Sequence, residues 1–263
     1  MQVLTPATLA EALALKAERP DALPIQGGTD VMVELNFDRA RPEVLLNLNE
    51  VAELRGSTRE NGTLRLGAGL TYTQAMQGRV AEQLPALAEA SRTVGGPQIR
   101  NRGTIGGNLG TASPAGDALP PLLVSGTEVE VASVRGTRRV QLAEFLVGPK
   151  RNDLEPDELI IAAHVRPAAG KQTFMKVGPR NAMVISVVSL ALGFDEEQAE
   201  LRAAYGSAGP VPLLVTAPLD ERHTFAERVA AAASPIDDVR GTAAYRVHAL
   251  RVLATRALER VLA

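Results

Sequence analysis

Apolar positions recur along this chain in three rhythms, and each predicts a different kind of element. Leu9 and Leu13 among alanines, after Thr5-Pro6, share a helical face, so a helix is expected to open near Thr5-Pro6 and end near Arg19-Pro20. Short apolar runs predict buried strands at Leu23–Gln26, Val44–Leu48, Leu64–Leu66 and Leu159–Val165. Alternation predicts a strand at Glu128–Val134, paired across Gly136 with Arg138–Leu142. Thr71 and Gln74 have capping-box spacing, and helices are expected to about Met76 and from Pro85 to Thr93. Shorter helices are expected at Val31–Leu35 and Pro120–Ser125, with a turn or helix at Leu142–Val147.

Breakers concentrate at Pro167-Ala-Ala-Gly170, where a domain boundary is expected. Beyond it, Gln172–Val177, Ala182–Phe194 and Leu201–Gly206 read as three strands of one antiparallel sheet. Helices follow at Phe225–Ala233 and Ala243–Leu262, the latter with Val247, Leu250, Leu253, Ala257 and Val261 on one stripe. Strands first and helices afterwards indicate an α+β arrangement. The expected division is 1–167, with subdomains of about 1–53 and 54–167, followed by 168–263.

Composition narrows the function classes. The 263 residues carry a net charge of −2 and no Lys/Arg run, which gives no reason to expect nucleic-acid binding. No cysteine is present, so this chain holds neither a disulfide nor a thiolate-ligated iron–sulfur cluster or zinc ion. Without a signal-peptide pattern or an apolar run of about 18 residues, a cytoplasmic location is expected. His164, His223 and His248 are isolated, in no metal-ligand spacing, and no covalent catalyst stands out.

Two glycine-rich segments carry the candidate chemistry: Gln26-Gly27-Gly28-Thr29-Asp30, and Thr104-Ile105-Gly106-Gly107-Asn108 leading to Ser113 and Asp117. Successive glycine N–H groups form nests for anions, and two such loops can clamp one pyrophosphate. Neither follows the Walker or dinucleotide-fold glycine spacing. A glycine pair by itself is more often a plain hairpin turn. Arg100 and Arg102 stand where they either attract a diphosphate or remain solvated.

The strings Gln26–Asp30, Gln98–Asn108 and Ala112-Ser-Pro-Ala-Gly-Asp117 together resemble the FAD-binding medium subunit of the molybdenum hydroxylases, the carbon monoxide and xanthine dehydrogenase type. The resemblance runs through the chain to Asp237-Asp238-Val239-Arg240-Gly241 and Tyr245-Arg246. It implies a two-subdomain FAD-binding fold of the vanillyl-alcohol-oxidase kind, then a C-terminal domain of a three-stranded antiparallel sheet plus helices. It implies non-covalent FAD, with Gln26–Asp30 and Thr104–Asn108 on the pyrophosphate, Ser113 and Asp117 beside them, and Ile160 and Lys176 as further contacts. Electrons would come from [2Fe-2S] clusters of a small subunit, supplied by a large molybdopterin subunit, and pass to NAD, a quinone or dioxygen. A dimer of heterotrimers is the family expectation. Two other readings stand beside this one: a self-sufficient FAD oxidoreductase of the same fold, and a non-catalytic assembly subunit. Gln26 departs from the family's usual small residue, and Gly148-Pro149-Lys150-Arg151 reorders its usual charges.

Overall fold

A computed structural model describes residues 1–263. The α+β chain builds three principal sheets in sequence. The first is parallel, with Val44–Asn47 between Gln2–Leu4 and Leu23–Ile25. The second is antiparallel and five-stranded, in the order Ser57–Glu60, Thr63–Gly67, Leu159–Val165, Glu128–Ser133, Gly136–Gln141. Every residue of its central strand, Leu159–Val165, is buried, which explains the unbroken apolar run there. Leu46, Leu54, Leu66, Leu87, Ile105, Leu109 and Phe145 belong to one core beneath both sheets.

The third sheet corrects an expectation. It has four strands, not three: Gln172–Val177, Val188–Asp195, Glu200–Gly206 and Leu213–Pro218. Pro210, Pro212 and Pro218 bracket the fourth and disguise it as a loop. Proline is tolerated there because this is an edge strand with one side unpaired. The expected Ala182–Phe194 strand begins only at Val188. Helices Arg222–Ala231 and Ala243–Leu262 cover the sheet, and Leu250, Leu253, Ala257 and Val261 enter a second core with Leu190, Tyr205 and Phe225. No helix is long and apolar enough to cross a membrane.

Local starts and stops follow side-chain chemistry. The first helix runs Leu9–Glu18, later than expected, because Thr8 rather than Thr5 accepts the Glu11 N–H at 3.2 Å. Thr71 and Gln74 form the expected capping box on Tyr72–Ala75. Pro85 at N1 opens Pro85–Thr93 as expected.

The Asp237–Arg246 stretch secures the last third of the chain. Arg246 is buried and donates to the Val187 and Ser207 carbonyls, each at 2.7 Å, and to Asp238 at 2.5 Å. Replacing it with leucine strands two buried carbonyls and removes one of the two arginines on Asp238, Arg240 keeping its pair at 2.7 Å. Arg246→Leu is therefore expected to cost about 3–5 kcal/mol, read as a lowered urea midpoint of the full chain.

The last third is also fastened to the preceding part. Glu89, on the Pro85–Thr93 helix, accepts from the Thr173 hydroxyl at 2.8 Å and the Phe174 N–H at 2.7 Å. The Arg202 guanidinium donates to the Val124 carbonyl at 2.8 Å. Lys176 reaches Asp117 at 2.7 Å and the Thr93 carbonyl at 2.9 Å.

Candidate functional site

A cleft of about 500 Å³ opens between the first two sheets. Its walls contain Gln26, Gly27, Gly28, Thr29 and Asp30 from one side, and Thr104, Gly106, Gly107 and Asn108 from the other. Ile160 lines it from the central strand of the five-stranded sheet, beside Leu154, Glu158 and Leu159. Ten of the fourteen residues singled out from sequence thus meet at one cavity. Ile105, Ser113, Asp117 and Lys176 lie outside its wall.

The two glycine segments differ in kind. Gln26–Asp30 is an irregular turn leading into the short Val31–Asn36 helix, with Gly28 at φ +75°. None of the six backbone N–H groups from Gln26 through Val31 finds an acceptor in the protein. All six residues line the cleft, so the turn presents a run of bare donors to whatever occupies it.

Thr104–Asn108, expected as a loop, is instead the start of a helix, Ile105–Thr111, capped by Thr104. Its first-turn donors are already spent. Ile105 N–H donates to the Leu70 carbonyl at 2.9 Å, and Gly106 N–H to the Ala68 carbonyl at 2.8 Å. Gly107 N–H donates to the Thr104 hydroxyl at 2.9 Å, and Asn108 N–H to the Thr104 carbonyl at 3.0 Å. Ile105 is buried and anchors this helix in the core. Its glycines are there for close approach: a Cβ on Gly106 would stand 2.6 Å from that of Ala68. Gly107 is freer, with only the Thr104 hydroxyl within reach, at 3.1 Å.

The two sides are tied together across the cleft. Thr111 donates to Asp30 at 3.1 Å, and Lys150 pairs with Glu34 at 3.5 Å. Arg102 donates to the Gln26 carbonyl at 3.2 Å and to Asn49 at 3.1 Å. Arg100 donates to the Val94 and Gly95 carbonyls at 3.1 and 2.9 Å. Both arginines open to alternative roles in the sequence therefore brace backbone. The Gln26 side chain, unusual for its position, fits because Gly69 leaves space, and a Cβ there would meet Gln26 Nε2 at 2.5 Å.

Behind the cleft, Asp117 and Lys176 form a buried ion pair. Lys176 also donates to the Thr93 and Val184 carbonyls at 2.9 and 3.2 Å, which spends all three ammonium hydrogens. Burial pushes the Asp117 carboxyl up to about 6, against the pull of Lys176. Its Oδ1 has no partner, and neither does Oδ1 of Asn108, although both are buried. Ser113 shapes the intervening turn by accepting from the Ala115 N–H at 3.3 Å. His164 lies elsewhere, hydrogen-bonded to Glu130 at 2.8 Å.

Several cleft residues were not singled out from the sequence, Tyr72 among them. Tyr72 is buried beneath the turn that precedes Thr104 and lines the cavity. The capping box at Thr71 was its signal, since it places Tyr72 at the first helical position.

Residues 1–167 match the family described as the FAD binding domain in molybdopterin dehydrogenase. The chain is 32% identical over 275 residues to the xanthine dehydrogenase FAD-binding subunit of Escherichia coli O157:H7, covering 98% of this chain and 94% of that protein. It is 37% identical over 195 residues to the nicotinate dehydrogenase FAD-subunit of Eubacterium barkeri, covering 71% and 66%. Among solved structures, carbon monoxide dehydrogenase from Hydrogenophaga pseudoflava superposes with a TM-score of 0.91 at 25% identity, over 100% of this chain and 97% of that one. The chain belongs to the molybdopterin dehydrogenase FAD-binding family and is an oxidoreductase subunit of the molybdenum hydroxylase type.

Proposed function

We propose that the cleft holds FAD non-covalently and that this chain is the electron-transfer subunit of a cytoplasmic molybdenum hydroxylase. The run of six bare N–H groups from Gln26 through Val31 carries this reading, because a pyrophosphate is an acceptor-only anion of matching chemistry. The residues fit such a group. Asn108, in the wall, carries an orphaned oxygen suited to a cofactor hydroxyl, and Ile160 with Leu154 and Leu159 supplies apolar wall for a ring.

In this reading Gln26–Asp30 bind the phosphates through the backbone, and Gly107 leaves room beside them. Thr104, Ile105 and Gly106 set the position of that helix. Ser113 shapes the turn that carries Asp117, and Lys176 fixes the Asp117 carboxylate. Residues 1–167 form the FAD-binding domain, with subdomains of about 1–53 and 54–167, and residues 168–263 cover it as a C-terminal domain. When bound, FAD supplies the redox chemistry, while the protein contributes binding, orientation and electrostatics.

Family membership implies the partners, and without cysteine this chain holds no thiolate-ligated cluster of its own. Electrons arrive from [2Fe-2S] clusters on a small subunit, fed by a large molybdopterin subunit, in a dimer of heterotrimers. They leave to an acceptor such as NAD, a quinone or dioxygen.

Co-purification at native expression level tests this. Flavin, iron and molybdenum are expected together in the fraction containing this chain. A colourless chain that takes up no added FAD would reject the cofactor assignment. Flavin alone, with substrate turnover by the isolated chain, would replace the electron-transfer role by a self-sufficient enzyme.

A further inference from the structure

We propose that Tyr72 is an additional cofactor-holding residue, its hydroxyl donating a hydrogen bond to a pyrophosphate oxygen from the wall opposite the Gln26–Val31 turn. The proposal rests on the reading of the cleft as a site for FAD. A phosphate group accepts on every oxygen, so a cleft that grips it needs donors on more than one side. On the Thr104 side the four first-turn N–H groups are committed to protein acceptors, so donors there come from side chains; the Thr104 hydroxyl accepts from the Gly107 N–H and keeps its own hydrogen. The Tyr72 phenol joins the Thr104 hydroxyl and the Asn108 amide as side-chain donors in that wall.

Its position is fixed by packing. Tyr72 is only 6% exposed, and its N–H donates to the Gly103 carbonyl at 3.1 Å. A Cβ on Gly103 would stand 2.9 Å from Tyr72 Cε2, so the ring edge lies directly on that glycine. Gly103 in turn is the neighbour of Gly27, whose added Cβ would lie 3.1 Å from the Gly103 Cα. Gly27, Gly103 and the Tyr72 ring are thus consecutive layers beside the run of bare N–H groups. The Tyr72 side chain lines the cleft, and its hydroxyl makes no hydrogen bond within the protein while its oxygen stays accessible from the cleft. Burial first, then the charges of Asp117 and Asp30, raise its ionisation above the ordinary tyrosine value. The hydroxyl therefore keeps its proton and serves as a donor through the neutral range.

Tyr72→Phe retains the ring and its packing and removes only the hydroxyl. Flavin-free full chain, wild type and variant, is titrated calorimetrically with FAD, ADP and adenosine. Affinity for FAD and ADP is expected to fall about tenfold or more, as for loss of a hydrogen bond to a charged group, with adenosine binding and the thermal midpoint unchanged. Equal ADP affinity in the two proteins overturns the role of Tyr72 and leaves the FAD site intact. A parallel loss of ADP and adenosine affinity also overturns it, because it reports distorted packing. Failure of wild type to bind either FAD or ADP rejects the FAD reading itself and this proposal with it.

Discussion

Replacing Gly27 with alanine is expected to abolish flavin retention and to lower the thermal midpoint of the chain. A Cβ at this position would fall on the Arg102 carbonyl, with the Gly103 Cα next at 3.1 Å. Both obstacles are backbone, so no rotamer change relieves the clash. The turn must move away from the segment carrying Thr104, at an overpacking cost of about 1–3 kcal/mol. That movement breaks the register between the bare N–H groups and the opposite wall of the cleft. Gly107→Ala should be much milder, because the Thr104 hydroxyl is its only close neighbour. The flavin-to-protein ratio after gel filtration separates the two variants. Full retention by Gly27→Ala would remove this turn from the cofactor site.

The second large effect concerns the buried pair behind the cleft. Lys176→Met leaves the Asp117 carboxylate without its cation in a position only 7% exposed. Breaking a buried pair by deleting one partner costs about 3–5 kcal/mol. The loss should depend on pH, and its sign follows from the carboxyl's ionisation. In the folded chain Asp117 is raised to about 6 from an ordinary 3.8. The folded state therefore binds the proton more tightly, and wild-type stability falls as pH rises through that window, then levels. Without Lys176 the carboxyl moves further up, so the decline continues above pH 6. Urea midpoints at about pH 5 and pH 8 should show the larger deficit at the higher pH. Adding Asp117→Asn should restore much of the loss at the higher pH. A deficit independent of pH, with no rescue by asparagine, would show that the lysine stem rather than its charge matters.

The sequence was most legible where one physical signal dominated. Leu159–Val165 is apolar throughout because it is the central strand, and the Ala243–Leu262 stripe is the face that enters the second core. Thr71 and Gln74 declared their helix start through side-chain chemistry alone. Elements held by their neighbours were harder to see. Gln2–Leu4 and Ser57–Glu60 are short edge strands without a buried residue, so no apolar pattern marks them. Pro97–Arg102 also has no buried residue and reads as a connector, although Pro97 at its first position was a valid start signal. The two glycine segments were identified correctly as parts of one cleft, but their division of labour was hidden. Glycine in sequence does not reveal whether it serves a positive φ, as at Gly28, or close backbone packing, as at Gly27 against Arg102 and Gly106 against Ala68.

The strand order of the second sheet has a consequence for biosynthesis. Leu159–Val165 occupies the middle of that sheet, between Thr63–Gly67 and Glu128–Ser133, yet it is the last of the five strands to be translated. Until it leaves the ribosome, its two flanking strands have no common partner, and the Ile160 wall of the cleft does not exist. The Gln26–Val31 turn meanwhile emerges early with its amides bare. On the proposed reading of the cleft, cofactor capture is expected only once Leu159–Val165 has been made. Chains truncated before Leu159 lack the wall that completes the cleft and are expected to retain no added flavin on gel filtration.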